Sequence, residues 1–125
     1  MANNRNMVLS FRDMDVWNNA MDLVDKVYSL TKLFPKDELF SLTSQIRRSA
    51  ISVPSNIAEG FNRKNTKEYV QFCYISLGSL AELETQIEIA YRQKYIQATD
   101  DVFKLITITK KQLFALINKL EIKTK

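Results

Sequence analysis

The chain has 125 residues, of which 46% are hydrophobic and 26% are charged, and its formal net charge at pH 7 is +4. These values are typical of a single soluble globular domain, and the modest charge permits a nucleic-acid partner without requiring one. The complete absence of histidine excludes Ser-His-Asp and Cys-His catalysis in their usual forms, His-ligated zinc, and the Glu-x-x-His di-iron sites of helical bundles. We therefore expect no catalytic residue, no metal site and no cofactor.

The sequence also indicates where the protein works. No apolar run approaches the roughly 18 residues of a membrane span, and the segment "MANNRNMVLSFRD" lacks the apolar core of a secretion signal. The single cysteine cannot form an internal disulfide, which favours a reducing compartment. We therefore expect a cytoplasmic protein with no membrane segment.

The first part of the chain predicts an arm followed by a helix. Residues 1–13 show no helical periodicity, and we assign them to an N-terminal arm that precedes a helical bundle over residues 14–125. Apolar residues recur at helical spacing from Trp17 to Phe34. Pro35 should end this first helix, because a proline disfavours helical angles in the residue before it.

The second predicted helix begins between Asp37 and Ser41 and ends at Gly60. We expect Gly60 to adopt the left-handed conformation that often follows a helix end. Pro54 lies inside this helix and cannot donate a backbone hydrogen bond to the carbonyl of Ala50. The helix should therefore bend at Pro54.

Two further helices are predicted from heptad-like seams of mostly apolar residues spaced four and three apart. Asn65 is the predicted N-cap of the third helix, with Glu68 at the capping-box position. The third-helix seam contains Tyr69, Cys73, Ser76, Leu80, Leu83, Ile87 and Ala90, and the fourth-helix seam contains Val102, Ile106, Thr109, Leu113, Leu116 and Leu120. With few glycines and prolines and short connections, the predicted fold is all-α, an antiparallel up-down-up-down four-helix bundle.

A polar stripe follows one side of the second helix, in the segment "QIRRSAISVPSNIAEG". At about 100° per residue, its members fall within roughly a third of the helix circumference; they include Gln45, Arg48, Ser52, Ser55, Asn56 and Glu59. Three interpretations are open: a kinked solvated edge, a polar contact between helices or subunits, and a ligand or catalytic site. We predict the contact, in which small side chains permit close approach and Arg48 reaches Glu59 or Gln45.

Basic residues are concentrated in two parts of the chain and are candidates for binding nucleic-acid phosphates. They are Arg47, Arg63, Lys64, Lys67, Lys104, Lys110 and Lys111. We assign Arg47 to the outer surface or a neighbouring subunit and Arg48 to a structural role. The alternative is that these side chains only solubilise the bundle. No zinc finger or RNP sequence is present, so base-specific readout is not predicted.

The stripe segment "QIRRSAISVPSNIAEG", with "FRDMDVWNNAMDLVDKVYSLTKLFP" before it and "EYVQFCYISLGSLAELETQIEIA" after it, resembles the S23 family, the proteins encoded in intervening sequences of bacterial 23S ribosomal RNA genes. The resemblance covers residues 11–96. It implies a four-helix bundle that assembles into a ring, a homopentamer, without enzymatic activity. A relative, the accessory variability protein of diversity-generating retroelements, forms such a barrel, works with a reverse transcriptase and binds nucleic acid through basic surface.

Two functional hypotheses follow. In the first, a non-enzymatic ring presents basic surface to RNA, to DNA or to a nucleic-acid-processing enzyme. In the second, the ring is a protein–protein interaction scaffold that ignores nucleic acid. An enzyme that uses Glu59 or the pair Glu84 and Glu88 is the least favoured class, since no histidine supports it.

Overall fold

A computed structural model of the protein describes residues 8–98 and 100–124. It contains four α-helices, α1 (Asp15–Thr31), α2 (Leu42–Phe61), α3 (Thr66–Arg92) and α4 (Asp101–Thr124), with short 3-10 helices at Phe11–Asp13 and Lys36–Glu38. The described residues form no strand, and the prediction of an all-α four-helix fold is confirmed. Residues 1–7 of the predicted arm lie outside the described residues.

The core forms where one apolar stripe from each helix meets the other three. Its fully buried members include Leu23 of α1, Ile57 of α2, Leu80 of α3 and Leu113 of α4. Burial of each such side chain contributes about 1.5–3 kcal/mol to folding. The predicted seam of α3 is buried apart from half-buried Tyr69, so its four-three spacing identified the inner face correctly.

Neighbouring helices pair in opposite sequence order. As residue numbers rise along α2 they fall along α3, in the pairs Ser52–Ser79, Val53–Ser76 and Gly60–Phe72. The same order holds between α3 and α4, in the pairs Tyr74–Glu121, Glu84–Lys110 and Tyr91–Phe103. The α2–α3 loop and the C-terminal part of α4 therefore lie at one end of the bundle.

The first helix ends earlier than its apolar pattern predicts. It stops at Thr31 rather than Phe34, because the N–H groups of Leu33 and Phe34 turn to the carbonyls of Leu30 and Thr31, at 3.1 and 3.2 Å. These three-residue turns tighten the end of the helix. Phe34 nevertheless packs into the core with 7% exposure, so periodic burial continues beyond the helix itself.

Gly60 does not have the predicted left-handed conformation. It lies within α2, which continues to Phe61, and no glycine in the described residues has a positive φ. A Cβ atom at position 60 would lie 2.8 Å from Cβ of Phe72 and 3.0 Å from Cδ1 of Tyr69. Glycine is therefore needed here because α3 approaches the α2 backbone closely.

The ends of α3 are defined by side-chain and backbone capping. The predicted N-cap is confirmed, since the Asn65 side chain accepts a hydrogen bond from the Glu68 N–H at 2.8 Å. At the C-terminal end, Lys94 adopts the left-handed conformation, with φ of 67°. The following N–H, of Tyr95, donates to the Ala90 carbonyl at 2.9 Å, a bond that closes the last turn.

Candidate functional site: basic surface and polar cleft

Three residues of the polar stripe region join α2 to α3. The hydroxyl oxygens of Ser52 and Ser79 lie 2.7 Å apart. Asn56 donates from Nδ2 to the Ser52 carbonyl at 2.8 Å and to the Ser52 hydroxyl at 2.9 Å. Ser52 is half-buried and Ser79 is buried, so this network replaces water at the seam between the two helices. It is a contact within one chain.

Serine hydroxyl groups also donate hydrogen bonds to backbone carbonyls in the helical turn around Pro54. The buried Ser76 hydroxyl donates to the Val53 carbonyl at 2.8 Å, and the exposed Ser55 hydroxyl donates to the Ile51 carbonyl at 2.8 Å. These bonds give carbonyl groups near the proline an additional donor. Helix α2 is continuous through Pro54, and the predicted bend stays a prediction.

Glu59 pairs with a residue other than the one expected. Its carboxylate lies 3.1 Å from the Arg63 guanidinium, one turn further along the chain. Arg63 also lies 3.9 Å from Glu68 and stacks 4.7 Å from the ring centroid of Phe72. The expected contact of Arg48 with Glu59 or Gln45 does not form within the part of the chain that the structure describes, and a contact between subunits stays a prediction.

A polar cleft of about 430 Å³ opens between α2 and α3 next to the serine network. Its lining, which defines the polar cleft below, is Gln45, Arg48, Ser49, Ser52, Ser79, Glu82 and Gln86. Ser79, Glu82 and Gln86 were not predicted. The signal that could have identified them is a second polar stripe on α3, spaced three and four residues apart beside the apolar seam.

Several groups in the polar cleft have no partner among residues 8–98 and 100–124. Arg48 and Glu82 are exposed and form no ion pair. Oε1 of Gln86 is buried and accepts no hydrogen bond. Ser49 is only 8% exposed, and its hydroxyl makes no hydrogen bond within the described ranges. The polar cleft thus combines charge of both signs with unsatisfied polar groups.

Arg47 is held against α1 and is not free on the outer surface as we predicted. Its Nε donates to the Thr31 hydroxyl at 2.9 Å, and its guanidinium lies 4.7 Å from the ring centroid of Tyr28. The side chain is half-buried, so Arg47 fastens α2 to α1. The expected roles of the two neighbouring arginines are therefore reversed, since Arg48 is the one that remains available.

The other basic candidates differ in how their charges are used. Lys110 forms an ion pair with Glu84 at 2.7 Å, and Arg63 has the two carboxylate partners given above. Among the predicted nucleic-acid-binding lysines, four are exposed and form no ion pair with any described residue: Lys64, Lys67, Lys104 and Lys111. We call them the free lysines.

The free lysines form two groups rather than one patch. Lys64 and Lys67 lie at the α2–α3 loop. Lys104 and Lys111 are seven residues apart on α4, which places them on one side of the helix about 10 Å apart along its axis. Because Tyr91 near the end of α3 contacts Phe103, Lys104 lies near the opposite end of the bundle from Lys64.

The cysteine and the two glutamates that could carry chemistry are buried or paired with a cation. Cys73 is fully buried, and burial raises the pKa of its thiol to about 12. Glu84 and Glu88 are each paired with a cation, Lys110 and Arg92 respectively. No group of three or more cysteine and carboxylate side chains is arranged to hold a metal ion in the described ranges. None of the described helices has the length and hydropathy needed to cross a membrane.

The sequence model for the 23S rRNA-intervening sequence protein family matches residues 12–119. The chain belongs to this family. The 1.70 Å crystal structure of a protein of unknown function from the S23 ribosomal protein family of Bacteroides thetaiotaomicron is similar to it, with a TM-score of 0.76. The two chains are 23% identical, and the match covers 82% of this chain and 95% of the other. At that identity the likeness shows the fold alone.

No curated protein sequence is significantly similar to this member of the 23S rRNA-intervening sequence protein family. The resemblance to the S23 family that its α2 segment indicates is confirmed. The suggested relationship to the accessory variability protein of diversity-generating retroelements stays a prediction.

Proposed function

We propose that the protein is a cytoplasmic, non-enzymatic helical bundle that self-assembles and binds RNA or DNA through the free lysines. The observation that carries this proposal is that Lys64, Lys67, Lys104 and Lys111 are exposed without an ion pair in the described chain. Such ammonium groups neutralise phosphates and release condensed counterions without losing an existing contact. A nucleic-acid-processing enzyme bound to the same nucleic acid would be the natural partner.

The other three predicted residues should contribute less to nucleic-acid binding. Arg47, Arg63 and Lys110 would each have to give up a hydrogen bond, an ion pair or an aromatic contact to reach a phosphate. The gain from each phosphate contact is then offset by the loss of the internal one. Substitutions at these three residues can therefore serve as controls for substitutions at the free lysines.

Exposed apolar side chains support self-assembly. Phe40 is 94% exposed and Leu33 is 81% exposed, both in the connection between α1 and α2, and Ile122 of α4 is 72% exposed. Leu33 and Phe40 lie at the end of the bundle where α3 ends, since neighbouring Phe34 contacts Tyr95, whereas Ile122 lies toward the other end, next to Glu121, which accepts a hydrogen bond from Tyr74. Contacts between subunits at either end would remove these apolar side chains from water. The family resemblance implies a ring, a homopentamer, in which the lysines repeat around the axis and reinforce one another's field.

Fluorescence anisotropy of labelled structured RNA and duplex DNA, titrated across salt concentrations, tests the binding proposal. The logarithm of the affinity should fall linearly with the logarithm of the salt concentration. For duplex DNA, the double substitution Lys64→Gln, Lys67→Gln should reduce that slope by about 1.8, since each lost phosphate contact removes about 0.9. Lys110→Gln is the matched control and should change the slope little.

Absence of binding at low salt would overturn the nucleic-acid proposal and favour the scaffold hypothesis. The exposed side chains of Phe40 and Leu33 are the specific observation behind that second candidate. Native mass spectrometry tests assembly separately, because a pentamer has five times the 14.5 kDa mass of one chain. A monomer at working concentration would overturn the ring.

The non-enzymatic part of the proposal rests on the absence of histidine and on the paired state of the Glu84 and Glu88 carboxylates. A nuclease assay on the purified protein, with and without added magnesium, tests it. Sustained cleavage of RNA or DNA that is lost in Glu59→Gln or Glu84→Gln would overturn it.

A further inference from the structure

We propose that the polar cleft between α2 and α3 binds a small zwitterion, a molecule of the α-amino acid class that carries one carboxylate and one ammonium group. The inference is independent of nucleic-acid binding, since the polar cleft contains none of the free lysines. It rests on four observations: opposite charges on the two walls, a buried amide oxygen without a donor, an accessible hydroxyl without a partner, and a hydrogen-bonded floor.

The charged residues stand on different walls of the polar cleft. Arg48 belongs to α2 and Glu82 belongs to α3, and neither is within ion-pair distance of the other or of any other described charge. A guanidinium presents paired N–H donors that match a carboxylate. A carboxylate in turn accepts from an ammonium group. A ligand with both charges would therefore satisfy both walls at once, whereas a ligand of a single charge would leave one wall unpaired.

Two polar groups without partners in the described chain add a requirement for hydrogen bonds with the ligand. Oε1 of Gln86 is buried without a donor, although buried side-chain oxygens in folded proteins nearly always have one. On the opposite wall, Ser49 is largely buried, and its hydroxyl has no hydrogen-bond partner among the described residues but is not one of the buried unsatisfied atoms. Because Oε1 of Gln86 has almost no accessible surface, the Gln86 side chain must turn toward the polar cleft before an N–H of the ligand ammonium group can satisfy it, whereas the Ser49 hydroxyl can donate directly to the ligand carboxylate.

The floor of the polar cleft is held by hydrogen bonds within the chain. Ser52 and Ser79 are joined at 2.7 Å, and Asn56 holds the Ser52 hydroxyl from the next turn at 2.9 Å. Preorganisation of this kind reduces the entropy lost on binding. The volume of about 430 Å³ lies within the range of about 300–1,000 Å³ that small-molecule sites occupy.

Isothermal titration calorimetry on the full chain tests the proposal, with the common α-amino acids as probes in turn. Acetate and methylammonium are the matched half-ligands, because each carries only one of the two charges. We expect saturable binding by at least one amino acid and none by acetate or methylammonium. A binding amino acid should also raise the melting temperature, because a ligand that binds only the folded state stabilises it.

Substitutions locate the binding to the polar cleft. Arg48→Gln and Glu82→Gln should each weaken the binding at least tenfold. Arg92→Gln is the control, since Arg92 is an exposed arginine of α3 that pairs with Glu88 outside the polar cleft. Gln86→Met gives a readout that a purely structural residue would not, because it should preserve or raise the melting temperature without ligand and abolish the ligand-induced rise.

Three results would overturn the proposal. One is the absence of heat and of any melting shift with every amino acid. Another is binding of acetate as tight as that of the amino acids, which would make the polar cleft a simple anion site. The third is a change in the subunit number of the Arg48→Gln variant when the unsubstituted protein binds no amino acid. That result would make the polar cleft a contact between subunits.

Discussion

Ser52 of α2 and Ser79 of α3 hold their hydroxyl oxygens 2.7 Å apart, and this bond joins the two helices. Asn56 supports it from the next turn of α2. The small polar side chains of the α2 stripe therefore have two uses. Ser52 bonds to α3 directly with support from Asn56, and Gln45, Arg48, Ser49 and Ser52 line the polar cleft.

Replacement of Ser52 by alanine should lower the free energy of unfolding by about 1–2 kcal/mol. The substitution leaves the buried Ser79 hydroxyl without its partner, and an unsatisfied buried polar group is more costly than the lost bond alone. Ser55→Ala is the control, because Ser55 is exposed and bonds only to its own helix. Urea denaturation measures both, and equal destabilisation by the two variants would contradict the expected role of the serine pair.

The two glycines should respond in opposite ways to alanine. Gly60→Ala places a Cβ 2.8 Å from Cβ of Phe72, so α2 and α3 must separate, and overpacking of this kind costs about 1–3 kcal/mol. Gly78→Ala meets no atom within 4 Å and should stabilise α3 by about 0.5–1 kcal/mol. Thermal unfolding of the two variants measures the difference. If the Gly60→Ala protein is as stable as the unsubstituted one, the close approach of α3 to Gly60 does not require glycine at that position.

Lys94→Gly should raise the free energy of unfolding by about 0.5–1 kcal/mol. Lys94 has φ of 67°, a left-handed conformation that costs a side-chain-bearing residue about 1 kcal/mol or more and costs glycine little. The gain is partly offset because glycine loses more chain entropy on folding. Lys94→Ala, which keeps the strain, is the matched comparison in the same denaturation experiment, and it should not reproduce the gain.

The free energy of unfolding should fall as pH rises above about 9. Burial raises the pKa of the Cys73 thiol from its ordinary value of 9.0 to about 12. Below pH 9.0 the thiol is protonated in both states, so its full contribution to stability is present there. Between the two values the unfolded chain loses the proton while the folded chain keeps it, and stability decreases by up to about 1.4 kcal/mol per pH unit.

Burial also raises the pKa of Tyr69 above its ordinary value of 10.0, which adds to the same trend at higher pH. Urea unfolding of the native chain and of Cys73→Ala at about pH 8 and about pH 10 separates the thiol from the other groups. The variant should show a fall that is smaller by about 1 kcal/mol. Identical pH dependence in the two proteins would mean that the thiol titrates normally.

The sequence predicted the helices well because their inner faces repeat apolar residues at a fixed period. Leu80, Leu83 and Ile87 are spaced so that only one helical face can bury all of them, and they are fully buried. The Asn65 cap was also predictable, since capping depends on residues three positions apart in the chain. Local pattern and local chemistry were sufficient in both cases.

Features that depend on contacts between helices were not predictable in the same way. Glycine is the residue type that often follows a helix end, so the sequence around Gly60 predicts a helix terminus. The close approach of Phe72, which the sequence does not show, explains the glycine inside α2. Arginine is a residue type that usually lies on the surface. The contacts of Arg47 with the Tyr28 ring and the Thr31 hydroxyl hold it against α1, and the sequence does not show them. The pairing of Arg63 with Glu59 was different, since its four-residue spacing is a signal that the sequence itself contains.

Cys73 is the one cysteine of the chain and is completely buried. Its rate of reaction with a thiol reagent therefore reports how often the bundle opens. A thiol reagent can modify the native chain only during excursions that expose α3, so the rate of modification counts those excursions directly. A second cysteine introduced on the surface would accept a dye while Cys73 stays unmodified. Site-specific labelling therefore requires no cysteine-free background.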